Sequence, residues 1–334
     1  MDDKSRSGDP LVSVVVPCFN AARTLLRTLR SAQRQTYRNL EILIVDDGST
    51  DSTHEIATKF AANDPRARVL MQPNSGVAAA RNLGIAHAQG EYIAPLDADD
   101  LWAPQKVELQ VRKIQSDTAI GLVYAWFDNV NDDDEIIPGG SRARYEGHVL
   151  SDLCTVDFVG NGSNPLMRTS AVREVGGYDP ELRAQSAEGC EDWKLALCLA
   201  ERYRFGLVPH SLVGYRCSAG NMSNRTAMMM RSARLVASEI AVRHPELAKT
   251  LHNHIGERLF TYSVKCLKQR RWEDASSLMR EASPYGFMWS LKRIATTMTK
   301  SAFRTLPWLR RRLPSSRLGH RGRRKFLMNG GSAQ

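Results

Sequence analysis

Over its first hundred residues the chain switches repeatedly between two hydrophobic periods, and that alternation leaves few folds open to it. LVSVVVP (Leu11–Pro17) is a short apolar run rich in β-branched residues, as a strand buried on both faces requires. AARTLLRTLRSAQRQ (Ala21–Gln35) follows, with Leu25, Leu26 and Leu29 at helical spacing. The pattern repeats as strand Leu40–Asp47, helix Ser52–Ala62, strand Ala67–Gln72, helix Gly76–Gln89 and strand Glu91–Asp97. Strands and helices alternating through short connections predict an α/β fold with a mainly parallel sheet flanked by helices. Ligands of such sheets bind outside the carboxyl ends of the strands. That rule singles out Pro17-Cys18-Phe19-Asn20, Asp46-Asp47-Gly48-Ser49, Gln72-Pro73-Asn74 and Asp97-Ala98-Asp99-Asp100, which should converge on one rim.

The rim is crowded with acid. YIAPLDADDLW places three aspartates within four positions behind an apolar run, an arrangement that calls for a counter-charge because carboxylates repel and are costly to desolvate. A D-x-D at a strand end suits a hard divalent cation such as Mg²⁺ or Mn²⁺, with water and substrate phosphates completing the shell. The plain alternative is a helix cap from Asp99 or Asp100, which accounts for one aspartate and not three. In VDDGSTDST a calcium loop fails on spacing. A tight turn explains Gly48 through Asp51 and leaves Asp46 and Asp47 at the rim, where a carboxylate can bond a ribose or a base N–H. Neither a G-x-G-x-x-G nor a P-loop follows any strand.

Beyond Trp102 the rhythm loosens. A helix near Gln105–Ser116 and a strand Ile120–Val130 precede an acidic loop, Asn131–Glu135, that reads as a solvated turn. From about Ser223 the pattern is helical. The six cysteines show no C-x-x-C spacing and read as reduced buried thiols, and no run approaches the length of a membrane helix. MDDKSRSGDP is polar rather than a signal peptide. Charge is segregated: from Ser283 onward there are twelve basic residues and no acidic one. Of the 46 basic residues, 34 therefore face 36 acidic ones in the remainder.

Four separated motifs, in order, carry a resemblance: VSVVVPCFNAARTLLRTLRSAQRQTYRNLEILIVDDGSTDST, NSGVAAARNLGIAHAQGEYIAPLDADD, GCEDWKLAL and YRCSAGNMS. From Leu11 to Ser223 the chain resembles the family-2 inverting glycosyltransferases of GT-A fold. The resemblance implies a GT-A domain over 10–222, with a nucleotide-sugar half (10–102) and an acceptor half (103–222). A helical extension (223–282) and a basic, aromatic-rich tail (283–334) would follow. It implies that Pro17, Phe19 and Asn20 surround the base and ribose, that Asp46 and Asp47 read uracil or ribose, and that Arg81 faces the diphosphate. Asp97 and Asp99, Asp99 foremost, would hold Mn²⁺ or Mg²⁺, and Asp192 would be the catalytic base. The acceptor side would take Glu191, Trp193, Asn161 and Arg216. Local alternatives stand beside these: Arg81 as partner of a rim aspartate, Phe19 and Trp193 as core. Where relatives carry a histidine two residues after Arg216, this chain has Ser218.

Inversion needs one base to take the acceptor hydroxyl proton. Glu191 and Asp192 are adjacent at a helix start and project differently, so only one of them fits the sugar. The resemblance lacks the Q-x-x-R-W and membrane helices of processive synthases, which implies transfer of a single sugar from a nucleotide-sugar donor, UDP-linked by preference, to a glycan or lipid-linked acceptor. Two rival functions are a sugar-phosphate nucleotidyltransferase, whose glycine-rich loop is missing, and a catalytically inactive nucleotide-sugar-binding or membrane-associated scaffold. In the tail, Phe287, Trp289, Leu291, Ile294, Phe303 and Trp308 interleave with arginines. That pattern fits an anionic membrane surface better than a nucleic acid, with a solvated tail as the alternative. The expected location is cytoplasmic, peripheral on the inner face of the cell membrane.

Overall fold

The computed structural model describes residues 8–218 and 226–282, together with Tyr285, Lys325 and Phe326. The alternation of the first half is realised as β1 (Val12–Cys18), α1 (Leu25–Gln33), β2 (Leu40–Asp46), α2 (Thr53–Ala61), β3 (Ala67–Met71), α3 (Val77–His87) and β4 (Tyr92–Pro95). These strands run parallel, in the order β3-β2-β1-β4. The two-residue period divides their side chains between two cores. Val12, Val14 and Val16 of β1 join Leu40, Ile42 and Ile44 of β2 and Leu25 and Leu29 of α1 on one face. Val15, Leu43 and Val45 face the other way. Leu26, although at helical spacing, points outward, and Thr28 and Ala32 take its place on the buried stripe of α1.

The second half is mixed. β5 (Leu101–Trp102) and α4 (Lys106–Gln115) lead to β6 (Ile120–Val130) and β7 (Ile136–Ser141). Then come α5 (Leu150–Thr155), β8 (Leu166–Arg168), α6 (Thr169–Glu174), α7 (Glu181–Ala184), α8 (Glu191–Ala200) and β9 (Arg204–Arg216). The sheet continues from β4 as β8-β6-β9-β5, with β7 on β6. β8 is antiparallel to both of its neighbours, while β6 and β9 are parallel. Among the described residues the parallel arrangement therefore belongs to β1–β4 and to the β6–β9 pair.

Three helices follow, α9 (Thr226–Arg243), α10 (Ala248–Lys268) and α11 (Trp272–Ala282). Their inward residues, among them Met230, Val236, Leu251, Ile255, Leu259 and Leu278, belong to the same core as Val15, Leu43 and Trp193. The helical extension thus packs on α5 and shares its core with the Val15 and Leu43 side of the sheet. No described helix is long and apolar enough to cross a membrane. The basic tail lies outside the described residues except for three. Of these, Phe326 is buried: its N–H bonds the Asp134 carbonyl at 2.8 Å and its ring packs on Gly214 of β9. Phe326 is therefore part of the packing on β9 and cannot lie in a lipid surface at the same time.

Candidate active site

The four strand-end segments meet on one rim, tied by their backbones. Asp47 N–H bonds the Cys18 carbonyl (2.9 Å), Gln72 N–H that of Asp46 (3.0 Å), and Leu96 N–H that of Val15 (2.9 Å). Asn20, with a positive φ of 48°, accepts the Thr50 N–H at 2.8 Å and so joins the first two loops. Two adjoining clefts open there, separated by Pro17, Phe19 and Val77, which line both. Phe19 is exposed at this lip rather than in the core. One cleft, of about 390 Å³, is bounded by Asp47, Asn74, Gly76, Arg183 and Glu188. The other, of about 440 Å³, carries Asn20, Arg81, Asp97, Asp99, Glu191 and Tyr215.

The two members of the first acidic pair have different duties. Asp46 is buried behind the rim, accepting the Ser49 N–H at 3.0 Å with His54 Nδ1 at 3.2 Å from its other oxygen, and lines neither cleft. The expectation that it touches base or ribose is corrected: it organises the turn. Asp47 reaches the smaller cleft, but only 3% of it is exposed. Its carboxylate accepts Gln72 Nε2 (2.6 Å), Ser75 N–H (2.8 Å) and Gly76 N–H (2.8 Å).

Arg81, on α3, is the hub of the larger cleft. It is buried, donates to Asp97 Oδ1 at 2.5 Å and Glu191 Oε1 at 3.2 Å, and lies 5.0 Å above the Tyr178 ring. Both readings of this residue meet here, since the partner of a rim aspartate also lines the cleft. Removing a buried cation that neutralises two carboxylates is costly. Arg81→Met should lower stability by about 3–5 kcal/mol, on the usual cost of orphaning buried charges. A thermal melt equal to that of the unsubstituted protein would contradict this placement.

The three aspartates after β4 also separate. Asp100 is spent internally, accepting Arg216 N–H at 2.8 Å and the Ser163 hydroxyl at 2.6 Å, so it caps no helix. Asp97 and Asp99 face the cleft. Burial, followed by repulsion from Asp97, raises Asp99 to about 6, with Arg216 opposing. Among the described residues no side chain bonds the Asp99 carboxylate. This donor set suits a hard cation: two oxygens from protein with room for others. No group of three or more metal-binding side chains occurs among the described residues, so any metal would draw its remaining ligands from elsewhere.

At the start of α8 the adjacent acids point apart. Glu191 is engaged on both oxygens, by Arg81 and by the Gly189 N–H at 2.9 Å. Asp192 is partly exposed and accepts the Trp193 N–H at 2.8 Å. Burial raises its pKa to about 7, helped by repulsion from Glu191 and Asp157 and opposed by Arg81. Glu191, not Asp192, lines the larger cleft, while Asp192 is close enough to Arg81 for their charges to interact.

Three expected acceptor contacts are placed elsewhere. Trp193 is 1% exposed, with its indole N–H on the Leu153 carbonyl at 3.1 Å, so it is core and cannot cover a sugar face. Asn161 is buried and bonds the Ser163 N–H, within a loop whose Ser163 hydroxyl also receives the Asp97 N–H at 2.9 Å. A Cβ at Gly162 in that loop would fall against Arg81 Nη2 and come within 2.7 Å of Asp97 Oδ2, so a side chain there would displace that ion pair. Arg216 is buried, donating to the Asp99 carbonyl at 2.7 Å and to Asn131 and Asp134. These are braces of the aspartate rim rather than acceptor contacts. The acidic loop is likewise more than a solvated turn: Asp134 accepts Arg27 (3.0 Å) and Arg216, and Asp132 pairs with Arg23 and Ser218 at the cleft wall. The sequence does not single out Ser163, Arg183 or Glu188; Ser163 stands two residues after the expected Asn161, and the other two carry no signal.

Residues 13–176 match the family model "Glycosyl transferase family 2". The chain is 39% identical over 140 residues to the hyaluronan synthase of Pasteurella multocida, covering 42% of this chain and 14% of that protein. It is 32% identical over 219 residues to an uncharacterized glycosyltransferase of Nostoc, covering 63% and 66%. Its fold resembles S. aureus TarS 1–349 in complex with UDP-GlcNAc, with TM-score 0.60, 19% identity and 79% of each chain covered. It also resembles a mannosyltransferase of Pyrobaculum calidifontis in complex with GDP-Man and Mn²⁺, with TM-score 0.56, 21% identity and coverage of 91% and 84%. The chain spans about a seventh of the length of the hyaluronan synthase it matches. The sheet with its strand-end aspartate rim, set beside these neighbours, has a GT-A-like fold. Over residues 13–176 the chain belongs to glycosyl transferase family 2.

Proposed function

We propose that the protein is an inverting, non-processive glycosyltransferase that moves one sugar from a nucleotide-sugar donor, UDP-linked by preference, to a hydroxyl of a glycan or lipid-linked acceptor. The observation that carries this reading is the Arg81 hub, which gathers Asp97 and Glu191 at one cleft with Asp192 alongside. The donor's nucleoside would occupy the smaller cleft and its diphosphate and sugar the larger. Asp192 would take the proton of the acceptor hydroxyl as its oxygen attacks the anomeric carbon opposite the departing diphosphate. A carboxylate poised near neutrality matches a base working at physiological pH. Glu191, with both oxygens engaged, orients Arg81 and the loop before α8. Asp97 and Asp99 would hold Mn²⁺ or Mg²⁺, which supplies charge neutralisation for the leaving diphosphate.

A panel of nucleotide sugars, followed by thermal shift and by hydrolysis with and without Mn²⁺, tests the reading. One or more donors should stabilise the protein and be slowly hydrolysed. If none does either, the donor assignment fails.

The tail residues would hold the enzyme peripherally on an anionic leaflet, on the cytoplasmic face, near a lipid-linked acceptor. Phe326 is docked, so the arginines before it are the residues to alter. Replacing Arg310, Arg311 and Arg312 by Gln should weaken co-sedimentation with anionic vesicles about 100-fold, at roughly 1 kcal/mol per cation. Unchanged co-sedimentation would remove the membrane from the proposal.

A further inference from the structure

The smaller cleft has two charged side chains that belong to no strand-end motif. Arg183 is on α7 and Glu188 lies between α7 and α8, both more than a hundred residues after the loops they face. A rigid hook presents them. Ser186 adopts a positive φ of 53°, its N–H bonds the Arg183 carbonyl (2.8 Å), and the Ala187 N–H bonds the Leu182 carbonyl (2.8 Å). This is a Schellman closure of α7. Buried Leu182 and Ala187 anchor the hook from beneath.

The Arg183 guanidinium bonds Asn74 Oδ1 and lies across Gly76, where a Cβ would fall 2.8 Å from Nη1. Glu188 Oε1 is 3.9 Å from Arg183 Nε, too far for a good hydrogen bond, and the two side chains keep 39% and 21% of their surface exposed. Both can therefore bond a ligand. Asp47, at the same cleft, is nearly inaccessible and already accepts three donors within the chain.

Taking the donor reading above as given, we propose that Arg183 and Glu188 read the base of the donor nucleotide. The guanidinium donates to a ring carbonyl oxygen, and the carboxylate accepts the adjacent ring N–H. Uracil and guanine both present a carbonyl beside a ring N–H. Cytosine and adenine do not, since the ring nitrogen beside their exocyclic group is an acceptor and would meet the Glu188 carboxylate lone pair to lone pair. The hook is thus a specificity element for uridine or guanosine diphospho-sugars, supplied by the half of the domain that follows the nucleotide-binding loops.

Calorimetric titration with UDP, GDP, CDP and ADP in the presence of Mn²⁺ tests this on the full chain, with Arg183→Ala and Glu188→Gln beside it and pyrophosphate as a control. UDP or GDP should bind at least about tenfold tighter than CDP and ADP, the scale of one charge-assisted hydrogen bond. Each substitution should shrink that ratio at least about fivefold while pyrophosphate binding stays unchanged. Equal binding of UDP, GDP and CDP by the unsubstituted protein overturns the inference. So does a preserved ratio in both variants, or a loss of pyrophosphate binding in step with UDP. Absence of any nucleoside diphosphate binding overturns the donor reading itself, a result distinct from the others.

Discussion

Asp192→Asn should slow sugar transfer by a factor of at least about 100 while leaving nucleotide-sugar affinity nearly unchanged, the pattern expected when only a general base is removed. The geometry sharpens this through pH. Burial and the neighbouring Glu191 and Asp157 carboxylates raise Asp192 to about 7. A base must be ionised to act, so kcat/KM should climb about tenfold per unit up to about pH 7 and level off above it. In Asp192→Asn that ascending limb should vanish along with most of the rate. Glu191→Gln should behave differently. It loosens one partner of Arg81 and the Gly189 bond, so it should weaken donor binding and retain the limb. Full activity in Asp192→Asn with an inactive Glu191→Gln would reassign the base.

Asp99→Ala should abolish any metal dependence of UDP binding without unfolding the protein. The Asp99 carboxyl is raised to about 6, first by burial and then by Asp97. A carboxyl with a raised folded pKa binds its proton more tightly when folded. Stability is therefore lost as pH climbs from the ordinary carboxylate value, near 4, to about 6, and stays lost above. At pH 7 without metal, removing that charge relieves repulsion, and Asp99→Ala should melt no lower than the unsubstituted protein. Mn²⁺ with UDP should raise the melting temperature of the unsubstituted protein and fail to do so in Asp99→Ala. Calorimetry of UDP with and without Mn²⁺ reads the same difference. A variant that keeps its metal dependence would refute the assignment.

Much of this protein is legible in its sequence because the signals are local. Hydrophobic period and turn chemistry act over a few residues, so the β1–β4 strands and their helices, and the rim where their ends meet, follow from Leu11 to Trp102 alone. Chemical type is equally local: acidic oxygens at a strand end point to a hard cation whatever packs around them. The order β4-β8-β6-β9-β5 and the antiparallel β8 are different in kind, since they depend on which distant segment docks on an open sheet edge.

The same divide runs through the site. That carboxylates gather after β2, after β4 and at the start of α8 is written in neighbouring letters. Which of each set reaches a ligand depends on partners contributed from far along the chain. Asp100 is consumed by Ser163 and Arg216, 63 and 116 residues away. Glu191 is consumed in part by Arg81, 110 residues away. Trp193 follows the expected base yet turns inward, because α5 offers its indole an apolar seat and a carbonyl. Arg183 and Glu188 have ordinary surface-residue signals in sequence and come to the smaller cleft only through the Schellman hook. Charge and period are properties of the residues themselves. Burial, and the choice of which charge is left unpaired, belong to the packing of segments a hundred residues apart, and only the tertiary structure settles them.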